Sequence, residues 1–132
     1  MAPETRLCEF VLPADTNHLG TLYGGTLLAW MDKAAGVAAI RRAGGTVVTA
    51  AIDGLSFRVP IHEGELVELL AEVESVGRTS LRVQVEVHVE DPAARSKELC
   101  TVGTFTMVAV DDAGRPRPIE EGSGSPPSSP GS

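Results

Sequence analysis

Aromatic side chains are scarce: Phe, Tyr and Trp together make up 4% of the 132 residues. Any core must therefore be aliphatic. Cysteine is scarcer still. Cys8 and Cys100 are the only two, and they lack the spacing of a metal site, so reduced thiols are expected. Positive charge is in short supply, with 11 Lys and Arg against 18 Asp and Glu for a net charge of -7. That excludes general nucleic-acid binding, which needs a cationic surface to displace counterions from phosphates. It leaves room for one small anionic ligand at a local basic patch. No apolar stretch approaches the length of a membrane span. The first residues carry Arg6 and a short apolar run ending at Pro13, shorter than a secretory h-region. A cytoplasmic protein is expected. The chain has no His-x-x-x-His, no P-loop, no Gly-x-Ser-x-Gly elbow and no Gly-x-Gly-x-x-Gly. No resident metal or cofactor is expected.

What is present is one domain's worth of patterned sequence. The last 11 residues, GSGSPPSSPGS, hold no apolar side chain except proline, and residues 122–132 are expected to form a disordered tail. Residues 1–121 remain to fold as a single domain, a size at which a partner subunit can usefully add buried surface.

Thr5 to Leu12 reads as a strand closed by Pro13, followed by a loop rich in Asp, Thr, Asn and Gly. Leu27 to Ala43 is dominated by good helix formers, and Gly44-Gly45 stops it. Asp32 and Lys33 are the only charges between Leu27 and Ile40, which predicts a helix buried all round. The period then switches from 3.6 to 2. Strands are expected over Thr46–Phe57, Glu65–Val76, Thr79–Glu90 and Leu99–Val110, with Gly77-Arg78 as a tight turn and Asp91–Lys97 as a loop. One helix must cover five antiparallel strands, and the simplest solution is an α+β fold in which the sheet wraps the helix. Long edge strands invite pairing, so a dimer with a continuous sheet is expected.

Asp32 is the most informative position. Its helical neighbours one turn away are Leu28, Ala29, Ala35 and Gly36, none of them a cation. A carboxylate among small apolar residues either emerges at the helix edge, pairs with a distant arginine, or belongs to a site. Asn17 and His18 lie in the preceding loop, where Asn alone would be read as turn chemistry. Gly24-Gly25 opens the helix, whose first N–H groups lack partners and favour negative charge. From Gly25 to Asp32 the helix rises about 10 Å, too far for one carbonyl to touch both. If both act on one substrate, two chains must contribute. Gly77, Arg78, Thr79 and Ser80 offer a guanidinium, hydroxyls and amides, either a phosphate grip or a polar turn. Arg115 and Arg117 sit on a proline-stiffened exit from the last strand. His62 reads as a turn residue and His88 as solvated. Cys8 and Cys100 read as packing residues.

Asp15-Thr16-Asn17-His18-Leu19-Gly20, followed by Gly24-Gly25-Thr26-Leu27-Leu28-Ala29-Trp30-Met31-Asp32, resembles the hotdog-fold acyl-CoA thioesterases of the YciA-like and cytosolic acyl-CoA hydrolase branch. The resemblance continues through residues 47–57, through Gly77-Arg78-Thr79-Ser80, and through residues 105–111 and 114–118. It implies a hotdog fold, a long helix wrapped by a five-stranded antiparallel sheet. Two such units would dimerise into a continuous sheet and assemble as a trimer of dimers. It implies hydrolysis of acyl-CoA to a free acid and CoA, with CoA as part of substrate and product rather than a cofactor. The catalytic Asp aligns with Asp32 and the loop Asn with Asn17, meeting across the subunit interface. Amides near Gly24 and Gly25 would polarise the thioester carbonyl. Gly77, Arg78, Thr79 and Ser80 are expected near the CoA nucleotide, with Arg115 and Arg117 as further cations. Ser56 and Phe57 would line the pantetheine channel. Many relatives carry a cation immediately before the proline that follows the Phe; here that place is Val59 and the cation is Arg58.

Three other readings compete, of which a purely structural dimer module does not explain a lone carboxylate on a buried helix. A hotdog dehydratase relies on a His working near the helix, and this helix has none. A non-catalytic acyl-CoA-binding or sensing module would keep the pocket, but it does not account for the pairing of Asn17 with Asp32.

Overall fold

The computed structural model describes residues 4–120; the expected tail lies outside them. Strand β1 (Thr5–Phe10) leads through a short 3-10 turn (Pro13–Asp15) to helix α1 (Gly24–Ala43). Strands β2 (Val47–Asp53), β3 (Leu66–Val76), β4 (Ser80–Asp91) and β5 (Ser96–Ala109) follow. All five form one antiparallel sheet in the order β1-β3-β4-β5-β2, with the helix on one face. This is the hotdog arrangement that the sequence resemblance implies.

Helix α1 ends where the sequence places its stop. Gly44 sits at φ 78°, the left-handed region that glycine enters freely, and its N–H bonds the Ile40 carbonyl. Arg41 and Arg42 occupy the last turn, where cations oppose the negative end of the dipole. The helix begins at Gly24, three residues before the expected Leu27. It is also one-sided, not buried all round. Leu27, Met31, Ala34, Ala35, Ala38 and Ala39 face the sheet and are buried, whereas Ala29, Lys33 and Ile40 are exposed. The small apolar residues on the other side leave a face uncovered within one chain.

The core is aliphatic, as the composition requires. Val67, Leu69 and Ala71 of β3, Val83, Val85 and Val87 of β4, and Phe105 and Ala109 of β5 are fully buried beneath the helix. The same strands turn polar residues outward, the alternation of a half-solvated sheet. On that outer face Glu68 accepts from Arg6 Nη1 at 2.6 Å and lies 2.5 Å from Lys97 Nζ, joining β1, β3 and β5 across the sheet. Lys97 first and Arg6 second hold the Glu68 carboxyl below the usual range.

Three expectations are corrected. Cys8 points outward from β1 and is exposed, because odd and even positions of an edge strand face opposite ways; Cys100 is buried. The loop between β4 and β5 is shorter than expected and turns at Pro92–Arg95, with Arg95 at φ 55°. Strand β2 stops at Asp53, where Gly54 at φ 72° breaks the extended run. Residues 54–60 then cross toward the helix N-terminus, anchored where the Thr101 hydroxyl donates to the Ser56 carbonyl at 2.7 Å.

Candidate functional site

Asp32 sits half-buried on the uncovered side of α1. Its one hydrogen-bond partner among the described residues is Thr49 of β2, whose hydroxyl donates to Asp32 Oδ1 at 2.6 Å. The local backbone explains this aim. The pairing of β2 with β5 shifts register between Thr49 and Ala51, a bulge at Ala50. Thr49 opposite Met107 and Ile52 opposite Phe105 therefore both face the helix, although they are three residues apart. Met107 Sδ lies 3.4 Å from the same Thr49 hydroxyl, an apolar floor beneath the pair. With Oδ1 held, Oδ2 is the oxygen available to a water or an acyl carbon. Thr49 is a residue that sequence reasoning did not single out. The signal that could have found it is a Thr on an edge strand entering the helix-facing register.

Asn17 organises its own loop. Its Oδ1 accepts from Leu19 N at 2.8 Å, Thr21 N at 3.2 Å and the Thr21 hydroxyl at 3.1 Å. Three donors on one oxygen fix the amide orientation and turn Nδ2, a donor, toward whatever lies beyond the loop. Gly20 at φ 79° completes the turn, and its N–H bonds the Asn17 carbonyl at 3.0 Å. The loop leads directly into Gly24 and Gly25. Tyr23, the residue before the helix, makes no side-chain cap, so no side chain occupies the first helical N–H groups.

A cleft of about 390 Å³ lies at this helix end, lined by Thr21, Gly24, Leu27, Phe57, Arg58 and Ile61 among others. Phe57 covers Gly24 so closely that a Cβ there would meet its ring at 3.4 Å. Arg58 faces the cleft and its Nε donates to the Ser56 hydroxyl at 3.3 Å, while Val59 turns inward against the core. The Arg58 cation thus reaches the cleft. Gly24, Phe57 and Arg58 are thus brought together, with Ser56 behind them and Gly25 next on the helix.

A second cleft, about 520 Å³, lies at the opposite end of α1 and is lined by Arg42, Val76, Gly77, Arg78, Pro118 and Ile119. The Gly77 N–H bonds the Ser80 carbonyl at 2.7 Å, which shapes the turn that carries Arg78 and Thr79. Ile119 N–H bonds the Arg78 carbonyl at 2.8 Å and fastens the chain's exit to that turn. Arg115 is exposed on a turn held by Asp111. Arg117 is placed differently. Its guanidinium donates to the carbonyls of Val110, Ala43 and Pro118. One of these bonds ties the exit segment to the helix C-terminus at Ala43.

Within one protomer the Asn17 loop and Asp32 belong to different regions. The first lies at the helix N-terminus and the second two turns along, beside edge strand β2. Among the described residues no group of three or more His, Cys, Asp or Glu side chains could hold a metal ion, and no helix is long and apolar enough to cross a membrane.

Residues 19–95 match the family model described as the thioesterase superfamily. The acyl-CoA thioester hydrolase YciA of Escherichia coli is 36% identical over 119 residues, covering 86% of this chain and 90% of that protein. A hexameric thioesterase from Yersinia pestis superposes with a TM-score of 0.85 at 36% identity, covering 92% of this chain and 98% of the other. An acyl-CoA hydrolase from Staphylococcus aureus, solved with butyryl coenzyme A and coenzyme A, superposes with a TM-score of 0.82 at 35% identity, covering 88% and 71%. Alanine variants of that hydrolase have been solved at an asparagine, at an aspartate fifteen residues later and at a threonine seventeen residues after that. Asn17, Asp32 and Thr49 share both spacings. The chain belongs to the thioesterase superfamily, in the branch of hotdog-fold enzymes that includes YciA.

Proposed function

We propose that this protein hydrolyses acyl-CoA thioesters to free CoA and a carboxylic acid, at a site shared by two protomers. The observation that carries the reading is the Asp32 carboxylate, which has no cationic partner and is pinned by Thr49 on the exposed edge of the sheet. It stands on a helix face of small apolar residues that one protomer leaves uncovered. The membership in a thioesterase family and the shared spacing of Asn17, Asp32 and Thr49 support it.

The assembly follows from the edge. Strand β2 ends the sheet, and Val48 to Ala51 are exposed there. Pairing β2 with a second copy gives the homodimer, covers the open face of α1 and brings the partner's helix N-terminus toward Asp32. The hexameric relative supports a trimer of such dimers.

Mechanistically, the helix N–H groups at Gly24 and Gly25 receive the thioester oxygen and hold the oxyanion that develops on it. Asn17 donates from Nδ2 to the thioester or to the attacking water. Asp32 Oδ2 takes a proton from that water as it adds to the carbonyl carbon. The tetrahedral intermediate then collapses, the carbon–sulfur bond breaks, and the CoA sulfur recovers the proton. Direct attack by Asp32, giving a mixed anhydride that water opens, uses the same atoms. The CoA arm runs past Ser56, Phe57 and Arg58. Arg78, Thr79 and Ser80 with Arg115 supply the contacts for its phosphates, while Arg117 holds the segment between them.

The test is thiol release from acyl-CoA by the purified protein and by Asp32→Asn. General-base catalysis contributes roughly 10²–10⁴-fold, so turnover should fall by that factor with the oligomer unchanged. Hydrolysis by Asp32→Asn at the wild-type rate overturns the reading.

A further inference from the structure

One wall of the cleft at the helix N-terminus is a continuous run of chain, Phe57 to Ile61. It is neither helix nor strand, and residues 55–60 make no backbone-to-backbone hydrogen bond among the described residues. Peptide groups without a ladder take their partners elsewhere. Here two carbonyls of the segment are held by side chains. The Thr101 hydroxyl donates to the Ser56 carbonyl at 2.7 Å, and Cys100 Sγ donates to the Val59 carbonyl at 3.5 Å. Phe57 and Arg58 stand between those two points.

Both donors come from one irregularity in β5. Val87 of β4 pairs with Thr101 and His88 with Leu99, so Cys100 is an extra residue in the ladder. In an unbroken strand two successive side chains face opposite ways. Here Cys100 and Thr101 are both buried on the inner face, while Leu99 is exposed. The bulge therefore aims two neighbouring donors at one segment. Gly103, the next inward position, adds a third attachment. A Cβ there would meet Leu55 Cδ1 at 3.1 Å and Met31 Cε at 3.3 Å, so Leu55 seats directly on the bare strand.

The hold reaches the cleft through short links. The Ser56 hydroxyl accepts from Arg58 Nε at 3.3 Å, so the residue fastened by Thr101 also steadies the cation. The Phe57 ring lies close over Gly24 at the start of the helix. A segment that lifts from β5 carries both Phe57 and Arg58 with it. We infer that Thr101, with Cys100 beside it, is a positioning residue of the coenzyme A cleft, clamping residues 55–60 at the height where Phe57 and Arg58 form its wall. This rests on the reading of that cleft as the passage for the CoA arm. Neither side chain of the clamp lines the cleft itself.

The experiment measures the Kd of coenzyme A by calorimetry and the steady-state kinetics of butyryl-CoA. It uses the wild type, Thr101→Val, Thr101→Ser and Cys100→Ala, with each substitution at 101 or 100 repeated in a Phe57→Ala background. Val keeps the shape of Thr and suits a strand position facing Val87. Loss of one buried hydrogen bond should raise Kd and KM about fivefold with kcat nearly unchanged. Thr101→Ser, which keeps the donor, should restore both. In the Phe57→Ala background Thr101→Val should add little, because the wall it positions is gone. Cys100→Ala should shift Kd and KM in the same direction, and it carries the test alone if Thr101→Val fails to fold. Lower melting temperatures with Kd and KM unchanged overturn the inference and leave the hydrolase reading standing. Effects that simply multiply with that of Phe57→Ala overturn it too. A wild type that neither binds coenzyme A nor hydrolyses butyryl-CoA overturns the underlying reading instead.

Discussion

The hydroxyl of Thr49 donates a hydrogen bond of 2.6 Å to Asp32 Oδ1, linking the edge strand of the sheet to the open face of the helix. One oxygen of the carboxylate is thereby fixed and the other presented. Thr49 opposite Met107 continues the helix-facing register that Val47 begins opposite Ala109, and the bulge at Ala50 then brings Ile52 onto the same face.

Removing the hydroxyl tests this positioning. Thr49→Ala should lower kcat by roughly ten- to a hundredfold, the range in which one well-placed hydrogen bond acts on a transition state. KM should change much less. Thr49→Ser, which keeps the donor, should recover most of the loss, whereas a merely structural threonine would show no such rescue. Steady-state kinetics of the two variants decide it.

The two arginines near the helix C-terminus should separate cleanly. Arg78 is exposed on its turn and faces the second cleft. Arg78→Ala should raise KM for acyl-CoA several-fold with kcat nearly unchanged, and make KM less sensitive to salt. Arg117 bonds three backbone carbonyls. Arg117→Ala should cost about 1–3 kcal/mol of stability, because carbonyls lose a charged donor. Urea unfolding of both variants beside their kinetics distinguishes the roles.

Glu68 gives the outer sheet face a pH dependence. Lys97 and Arg6 depress its pKa in the folded state, so the unfolded chain binds the proton more readily. The stabilisation is therefore complete above the ordinary glutamate range and is lost as pH falls through the lowered folded value. Glu68→Gln should cost on the order of 1 kcal/mol at neutral pH. The difference from wild type should shrink as the solution is acidified toward that range. Thermal melts at several pH values measure both.

Thiol labelling checks the two cysteines. Burial pushes the Cys100 thiol up and its Sγ lies 3.5 Å from the Val59 carbonyl, while Cys8 is exposed. In the native protein, an aromatic disulfide reagent should react at Cys8 and spare Cys100, and in denaturant it should react with both. Cys8→Ser therefore gives the cleaner background for following CoA release with the same reagent.

Much of this was legible in the residues. The helix stop at Gly44, the alternation of β3 and β4, and the lone carboxylate at Asp32 all follow from local propensity and period. What failed did so for physical reasons. Thr49 was read as one strand residue among many because its partner Asp32 lies on another element, 17 positions away in the chain. Helix α1 looked buried on all sides because its second face is apolar, although within a single chain that face stays open. The bond from Arg117 to the Ala43 carbonyl was not legible because its partner lies 74 positions away in the chain. Cys8 looked like core because the facing of a short edge strand is set by its register with β3 rather than by its own composition.

The central claim is that each site takes Asn17 from one protomer and Asp32 from the other. It is tested most directly by mixing inactive parents. Asn17→Ala and Asp32→Asn chains, carrying different affinity tags, are co-expressed and the doubly tagged oligomers isolated. At equal mixing half of the dimers are hybrids with one intact site of two, so the unfractionated pool should recover about a quarter of wild-type activity. Purified hybrids no more active than their parents would contradict the shared site.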